Sequence, residues 1–161
     1  MARIIKVGMA EMNVAASPNI LITSGLGSCI GVCLYDPVAK IGGMAHIMLP
    51  SSEIGGTKDN PAKYADTAVP ALMELMEKQG ANIRRLVAKY AGGAQMFSFT
   101  NGSSFLKIGE RNAEAVKEAL EKAGIKILAS DTGGSFGRTI EFSTETGLLL
   151  VRTLTQGEKI L

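Results

Sequence analysis

Apolar residues in this chain come in short runs cut off by glycine, proline or aspartate, and only two segments hold a helical period. The runs at 4–7, 12–15, 20–23, 29–35, 44–49, 85–90, 125–129, 138–142 and 148–154 read as strands. In 29–35 a period of two puts Ile30, Val32 and Leu34 on one face and Gly31, Cys33 and Tyr35 on the other. Asp36-Pro37 closes that strand as a turn. In 44–49, Met44, His46 and Met48 share a face, and Pro50 ends the run. The runs at 138–142 and 148–154 are expected to pair as a hairpin across 143–147.

The first helix is expected over 61–79, with Asn60 as its cap, Pro61 at its first position and Gly80 after its end. Ala65, Ala68, Val69, Leu72, Leu75 and Met76 form its apolar stripe, and Pro70 is expected to kink it. The second is expected over 112–123, with Ala115, Val116, Ala119 and Leu120 inward and Gly124 beyond its end. Strands and helices alternate irregularly, which favours a layered α/β (α+β-like) sandwich over a repeating βαβ fold. Mixed and antiparallel sheets, two long helices and one domain over 1–161 are the expected architecture. The chain's 161 residues suffice for a core without staples.

Charge and composition exclude several classes of function. The 17 basic and 15 acidic residues are interspersed, and no Lys/Arg block marks a nucleic-acid surface. With no Trp, five Phe and three Tyr, stacking platforms for bases are scarce. No run approaches the roughly 18 apolar residues of a membrane span, and the N-terminus lacks the apolar segment of a signal peptide. The expectation is a cytoplasmic protein whose two cysteines stay reduced.

Both cysteines lie in SGLGSCIGVCLYDP, residues 24–37. The glycine spacing there misses both the dinucleotide fingerprint and the phosphate loop, and the residues that follow read as a strand. Cys29, Cys33 and the lone His46 do not make a zinc-ribbon or finger pattern, so no metal and no cofactor are expected. Two readings of Cys29 remain open from pattern alone. It is a small core thiol, as Cys33 is read to be, or it is a nucleophile at a loop–strand junction. In the second reading flanking glycines leave amide N–H groups near Gly27 and Ser28 to stabilise a negative oxygen. His46 is likewise either a satisfied core histidine or the base. Antiparallel pairing of the two strands would set it near Cys29. Farther on, Gly92-Gly93-Ala94-Gln95-Met96-Phe97 reads either as a turn feeding the core or as a loop presenting Met96 and Phe97 to a partner.

Several stretches together resemble the chemotaxis protein CheD family, the chemoreceptor glutamine deamidases. They are Thr23-Ser24-Gly25-Leu26-Gly27-Ser28-Cys29, Gly43-Met44-Ala45-His46-Ile47-Met48-Leu49-Pro50 and Lys89-Tyr90-Ala91-Gly92-Gly93-Ala94-Gln95-Met96-Phe97. Ile108-Gly109-Glu110-Arg111-Asn112 and Asp131-Thr132-Gly133-Gly134 with Gly137-Arg138 complete the set. The resemblance implies a Cys–His–Thr triad, which carries over onto Cys29, His46 and Thr23. It implies an α/β sandwich distantly similar to the catalytic domain of cytotoxic necrotizing factor toxins. It implies glutamines on the cytoplasmic helices of chemoreceptors as substrate, and a CheC-type phosphatase as a second partner. A rival reading is a binding regulator of that phosphatase with little turnover. A weaker one is a cysteine peptidase using the same chemistry.

Overall fold

The computed structural model describes residues 1–55, 60–96 and 107–161. Among the described residues ten strands form two mixed five-stranded sheets. The first, in the order β1-β3-β8-β9-β10, joins β1 (Ile4–Lys6), β3 (Ile20–Leu26), β8 (Arg138–Ser143), β9 (Leu149–Arg152) and β10 (Glu158–Ile160). The second, in the order β2-β5-β4-β6-β7, joins β2 (Met12–Ala16), β5 (Ile41–Ile47), β4 (Ile30–Asp36), β6 (Val87–Gly92) and β7 (Lys126–Thr132). The pairs β1–β3 and β6–β7 are parallel, and the other pairs are antiparallel. The helices are the single turn α1 (Ser52–Gly55), α2 (Ala65–Lys78) and α3 (Ile108–Lys122).

The layers follow from the two faces of β4. Ile30, Val32 and Leu34 pack with Ala65, Ala68, Val69, Leu72 and Met76 of α2 and with Val116 and Leu120 of α3. Cys33 and Tyr35, with Cys29 just before the strand, pack with Leu21, Ile140, Phe142, Leu149 and Val151 of the first sheet. The second sheet is therefore the middle of three layers, with helices above and the first sheet below. Every residue of β4 and β5 is buried. A strand covered on both faces has no polar alternation, which is why these runs read as nearly continuous apolar sequence. The layered sandwich expected from the element order is the fold the chain adopts.

Several boundaries differ from the sequence expectation. The runs at 4–7 and 12–15 are strands as expected, shifted to Ile4–Lys6 and Met12–Ala16, and each forms the edge of a different sheet. Asn60 caps as expected by accepting from Ala62 N–H, but it caps a 3-10 turn, Pro61–Lys63. The chain is extended at Tyr64 before α2 begins at Ala65, and Pro70 lies inside α2. Helix α3 starts a turn earlier than expected, which puts Asn112 inside it rather than at its start. The strand expected over 85–90 is Val87–Gly92, preceded by the 3-10 turn Ile83–Arg85.

Asp36 closes the β4–β5 turn and ties it to that 3-10 turn. Its buried carboxylate accepts from the N–H groups of Val38, Ala39 and Asn82 and from Arg85 Nε and Nη2 at 2.9 and 2.8 Å. The Arg85 guanidinium and the three N–H groups hold Asp36 well below the usual carboxylate range, against the opposing effect of burial. Removing the carboxylate strands these donors, so Asp36→Ala is expected to cost about 3 kcal/mol, read from urea unfolding at neutral pH. Because the folded-state value is depressed, the stabilisation is complete above the ordinary value of 3.8 and fades as pH falls below it.

Candidate active site

Thr23 on β3 and His46 on β5 meet in the gap between the two sheets. Thr23 Oγ1 lies 2.8 Å from His46 Nδ1 and 2.6 Å from the Val7 carbonyl oxygen. Thr23 is 2% exposed and His46 is 0% exposed, so solvent does not compete for these bonds. The arrangement fixes the histidine tautomer. A hydroxyl carries one proton, and the carbonyl of Val7 can only accept, so the Thr23 proton goes to Val7. Thr23 Oγ1 must then accept from His46, which puts the ring proton on Nδ1. Nε2 is left with its lone pair, and among the described residues it has no hydrogen-bond partner. The ring is thus held with its basic nitrogen unoccupied.

Cys29 lies on the same face. In the β4–β5 ladder Ile30 pairs with Ile47 and Gly31 with His46, so Cys29, one residue before β4, is a diagonal neighbour of His46. The structure brings Thr23 and His46 into contact and places Cys29 beside them, with no thiol–imidazole hydrogen bond among the described residues. Burial pushes the Cys29 thiol above its ordinary value of 9.0 and the His46 imidazole below 6.5. Both effects favour the neutral pair over a standing thiolate–imidazolium pair. Burial also raises the thiol of Cys33 in the core, and Lys89 acts in the opposite direction.

The loop before Cys29 is shaped by close backbone approach. Gly25, at φ +71°, forms the bulge that shifts the β3–β8 register between Thr23 and Leu26. Gly27 N–H donates to Gly25 O at 3.1 Å, and Gly27 O accepts from Ala94 N–H at 2.8 Å. That engagement leaves the N–H groups of Ser28 and Cys29, rather than that of Gly27, without a backbone acceptor among the described residues. The Cys29 carbonyl accepts from Gly93 N–H at 2.9 Å. A Cβ on Gly92, at φ +124°, would lie 2.1 Å from that carbonyl oxygen. The paired glycines at the end of β6, Gly92 and Gly93, therefore let the chain clasp the nucleophile loop.

Met96 covers this loop. A Cβ on Gly27 would lie 3.2 Å from Met96 Cγ, yet Met96 is 46% exposed. Phe97 lies outside the described residues. A groove of about 620 Å³ begins beside the loop, with Gly25, Met96, Phe136 and Arg138 among its lining residues. Among the described residues no group of three or more His, Cys, Asp or Glu side chains could hold a metal. Because Cys29, Cys33 and the lone His46 make no zinc-site pattern in the sequence, removing metal with a chelator is expected to leave activity unchanged.

Two polar residues near the site carry no role in the sequence reading. Asn112 is fully buried and donates from Nδ2 to the Ser28 and Met48 carbonyls, both at 2.9 Å. Its signal is a carboxamide at the head of the stripe Asn112, Val116, Leu120, visible once α3 is started at Ile108. Arg138, 3% exposed, pairs with Asp131 at 3.0 Å and donates to Gly92 O at 3.3 Å, so it braces the same glycine clasp.

The family model for CheD chemotactic sensory transduction matches residues 48–153. That span begins just after His46, and full-length relatives carry the likeness across the site. The probable chemoreceptor glutamine deamidase CheD of Syntrophomonas wolfei is 56% identical over 161 residues, 100% of each chain. The chemoreceptor glutamine deamidase CheD of Halalkalibacterium halodurans is 55% identical over 157 residues, 97% of each chain. That of Thermotoga maritima is 53% identical over 154 residues, 96% of this chain and 94% of its own. Among solved structures, the hypothetical protein YfiH of Bacillus licheniformis matches with a TM-score of 0.50 and 16% identity. The match covers 77% of this chain but only 51% of YfiH, and at that identity it bears on the fold alone.

Proposed function

The chain belongs to the CheD family, and from that membership we propose that it is a chemoreceptor glutamine deamidase whose Cys29, His46 and Thr23 form the reacting unit. The observation that carries the mechanism is the Val7–Thr23–His46 chain, which leaves a basic Nε2 on the face shared with Cys29.

The reaction follows from the neutral resting pair. His46 Nε2 takes the Cys29 thiol proton as sulfur attacks the carboxamide carbon of a substrate glutamine. The carbonyl oxygen becomes an oxyanion, for which the Ser28 and Cys29 N–H groups are the donors we assign. The imidazolium then protonates the amide nitrogen, ammonia leaves, and a thioester remains. Water, losing a proton to Nε2, attacks the thioester. Collapse expels the Cys29 sulfur, which recovers the proton, and the side chain is now glutamate. Thr23 holds Nδ1–H in every step, so protonating Nε2 requires no reorientation of the ring. Threonine is neutral and leaves the imidazolium less stabilised than a carboxylate would. This agrees with a base that stays uncharged until sulfur attacks.

The substrate is a receptor helix and the working compartment the cytoplasm. No helix among the described residues is long and apolar enough to cross a membrane. Met96, half exposed above Gly27, is the docking residue we assign on this side of the site, with Phe97 as its proposed neighbour. A CheC-type phosphatase using the same face would compete with the receptor. Intact-mass analysis of a receptor cytoplasmic fragment tests the function. Each converted glutamine adds about one dalton, –OH replacing –NH₂ through the acyl-transfer route. A fragment cut into two pieces would instead establish a peptidase, and an unchanged mass would remove the enzyme reading.

The base assignment fixes a pH dependence. A protonated His46 cannot accept the thiol proton, so kcat/KM falls as pH drops through its folded-state value. Burial sets that value below 6.5. The acid limb of the pH–rate profile is therefore expected below 6.5, and a midpoint above it would contradict a desolvated His46 base.

A further inference from the structure

We propose that Asn112 is a positioning residue for the reaction, its carboxamide setting the direction of the Ser28–Cys29 peptide and so the place of the Cys29 thiol and N–H relative to His46. The inference rests on the deamidase reading above.

The two carbonyls that Asn112 holds flank the reacting groups. Ser28 immediately precedes Cys29, and Met48 follows His46 by two residues. The β4–β5 ladder ends at the pair Ile30–Ile47. Beyond it the N–H groups of Met48 and Leu49 turn away to Lys63 O, at 2.9 and 3.0 Å. The Asn112 carboxamide thus joins the ends of the nucleophile and base segments where the backbone no longer does. Its two N–H bonds satisfy one carbonyl on each segment.

The direction of these bonds matters for the chemistry. In a trans peptide the C=O and the following N–H point opposite ways. With Ser28 C=O drawn to α3, the Cys29 N–H is aimed away from the helix. That N–H donates to no backbone acceptor among the described residues, and neither does that of Ser28. Asn112 therefore sets a free donor as well as the sulfur. The residue is costly for the fold, because it is fully buried and its Oδ1 has no partner among the described residues. An apolar side chain heading the Asn112, Val116, Leu120 stripe would avoid that cost and give up both donors.

The test uses Asn112→Asp, which keeps the shape but turns acceptors toward two carbonyls, and Asn112→Leu, which only removes the donors. The readouts are kcat and KM on the receptor fragment and the iodoacetamide rates of Cys29 and Cys33. A misplacement of the nucleophile is expected to lower kcat at least about 30-fold. KM should stay within about threefold, because the groove residues are untouched. Cys29 alkylation should change several-fold while Cys33, 1% exposed, stays protected. Cys33 is the internal control, since general loosening of the fold would expose it too. Wild-type kcat and Cys29 reactivity in both variants, with Cys33 protected, would overturn the proposal. Loss of Cys33 protection in both would also overturn it, by assigning Asn112 to the fold alone. The alkylation readout needs no receptor. If the wild-type protein fails to deamidate while the variants still change Cys29 reactivity, the substrate reading fails and the positioning role stands.

Discussion

Cys29→Ala is expected to abolish receptor deamidation and leave the fold intact, whereas Cys33→Ala is expected to keep activity and lose stability. The asymmetry comes from location, since both residues are cysteines on one face of the same segment. Cys29 stands where the loop enters β4, beside the unoccupied Nε2 of His46. Cys33 lies mid-strand, packed in the core between the two sheets. Without the sulfur no thioester forms, and the loss of rate is expected to exceed about 10³-fold. Its effect on stability should stay near 1 kcal/mol, because alanine removes a single heavy atom. Cys33→Ala is expected to cost about 1–2 kcal/mol through its cavity, with kcat close to wild type. In the wild-type protein Cys29 should react with iodoacetamide much faster than Cys33, since Cys29 lies at a loop end beside His46 while Cys33 is sealed mid-strand and burial holds its thiol protonated. Full turnover by Cys29→Ala, or equal labelling of the two thiols in the folded state, would remove Cys29 from the reaction.

Thr23→Val keeps the side chain's shape and removes its hydroxyl, so it separates packing from tautomer control. The Val7 carbonyl loses a donor and His46 Nδ1–H loses its acceptor, both in a buried gap. Each stranded group costs about 1–3 kcal/mol, so stability drops measurably. The imidazole is then free to carry its proton on Nε2, where it cannot accept from the thiol. The kcat is expected to fall about 10²-fold, within the range for losing one member of a general-base unit. Thr23→Ser restores the hydroxyl and is expected to recover most of kcat. Wild-type turnover in Thr23→Val, measured by intact mass over time, would dismiss tautomer control.

How far the sequence could reach is seen in these same residues. The period of two sorts the faces within 29–35 and within 44–49, because strand alternation is local information. The β4–β5 pairing that makes Cys29 and His46 diagonal neighbours was legible from the tight turn between the runs. The Thr23–His46 contact was not, because it crosses from one sheet to the other and stacking leaves no period in the chain. Thr23 entered only through the family resemblance. Asn112 was hidden by a boundary: with the helix started at 112, it looks like an end residue, and its burial appears only when α3 begins at Ile108. Strand β10, Glu158–Ile160, is exposed throughout and exists through its pairing with β9, so no hydrophobic pattern announces it. The glycines at 92 and 93 read as a turn, while their close approach to the Cys29 carbonyl is a tertiary fact.

In the proposed mechanism the hydrogen-bond chain from Val7 through Thr23 leaves His46 Nε2 free to take the Cys29 proton. His46 is the only histidine in the chain, so ¹⁵N-labelled protein gives one pair of imidazole nitrogen signals without assignment. At neutral pH a proton is expected on Nδ1, held in a hydrogen bond and slow to exchange, with Nε2 unprotonated. In Thr23→Val this pattern should be lost. A proton on Nε2 in the wild-type protein, or on both nitrogens at neutral pH, would contradict the mechanism.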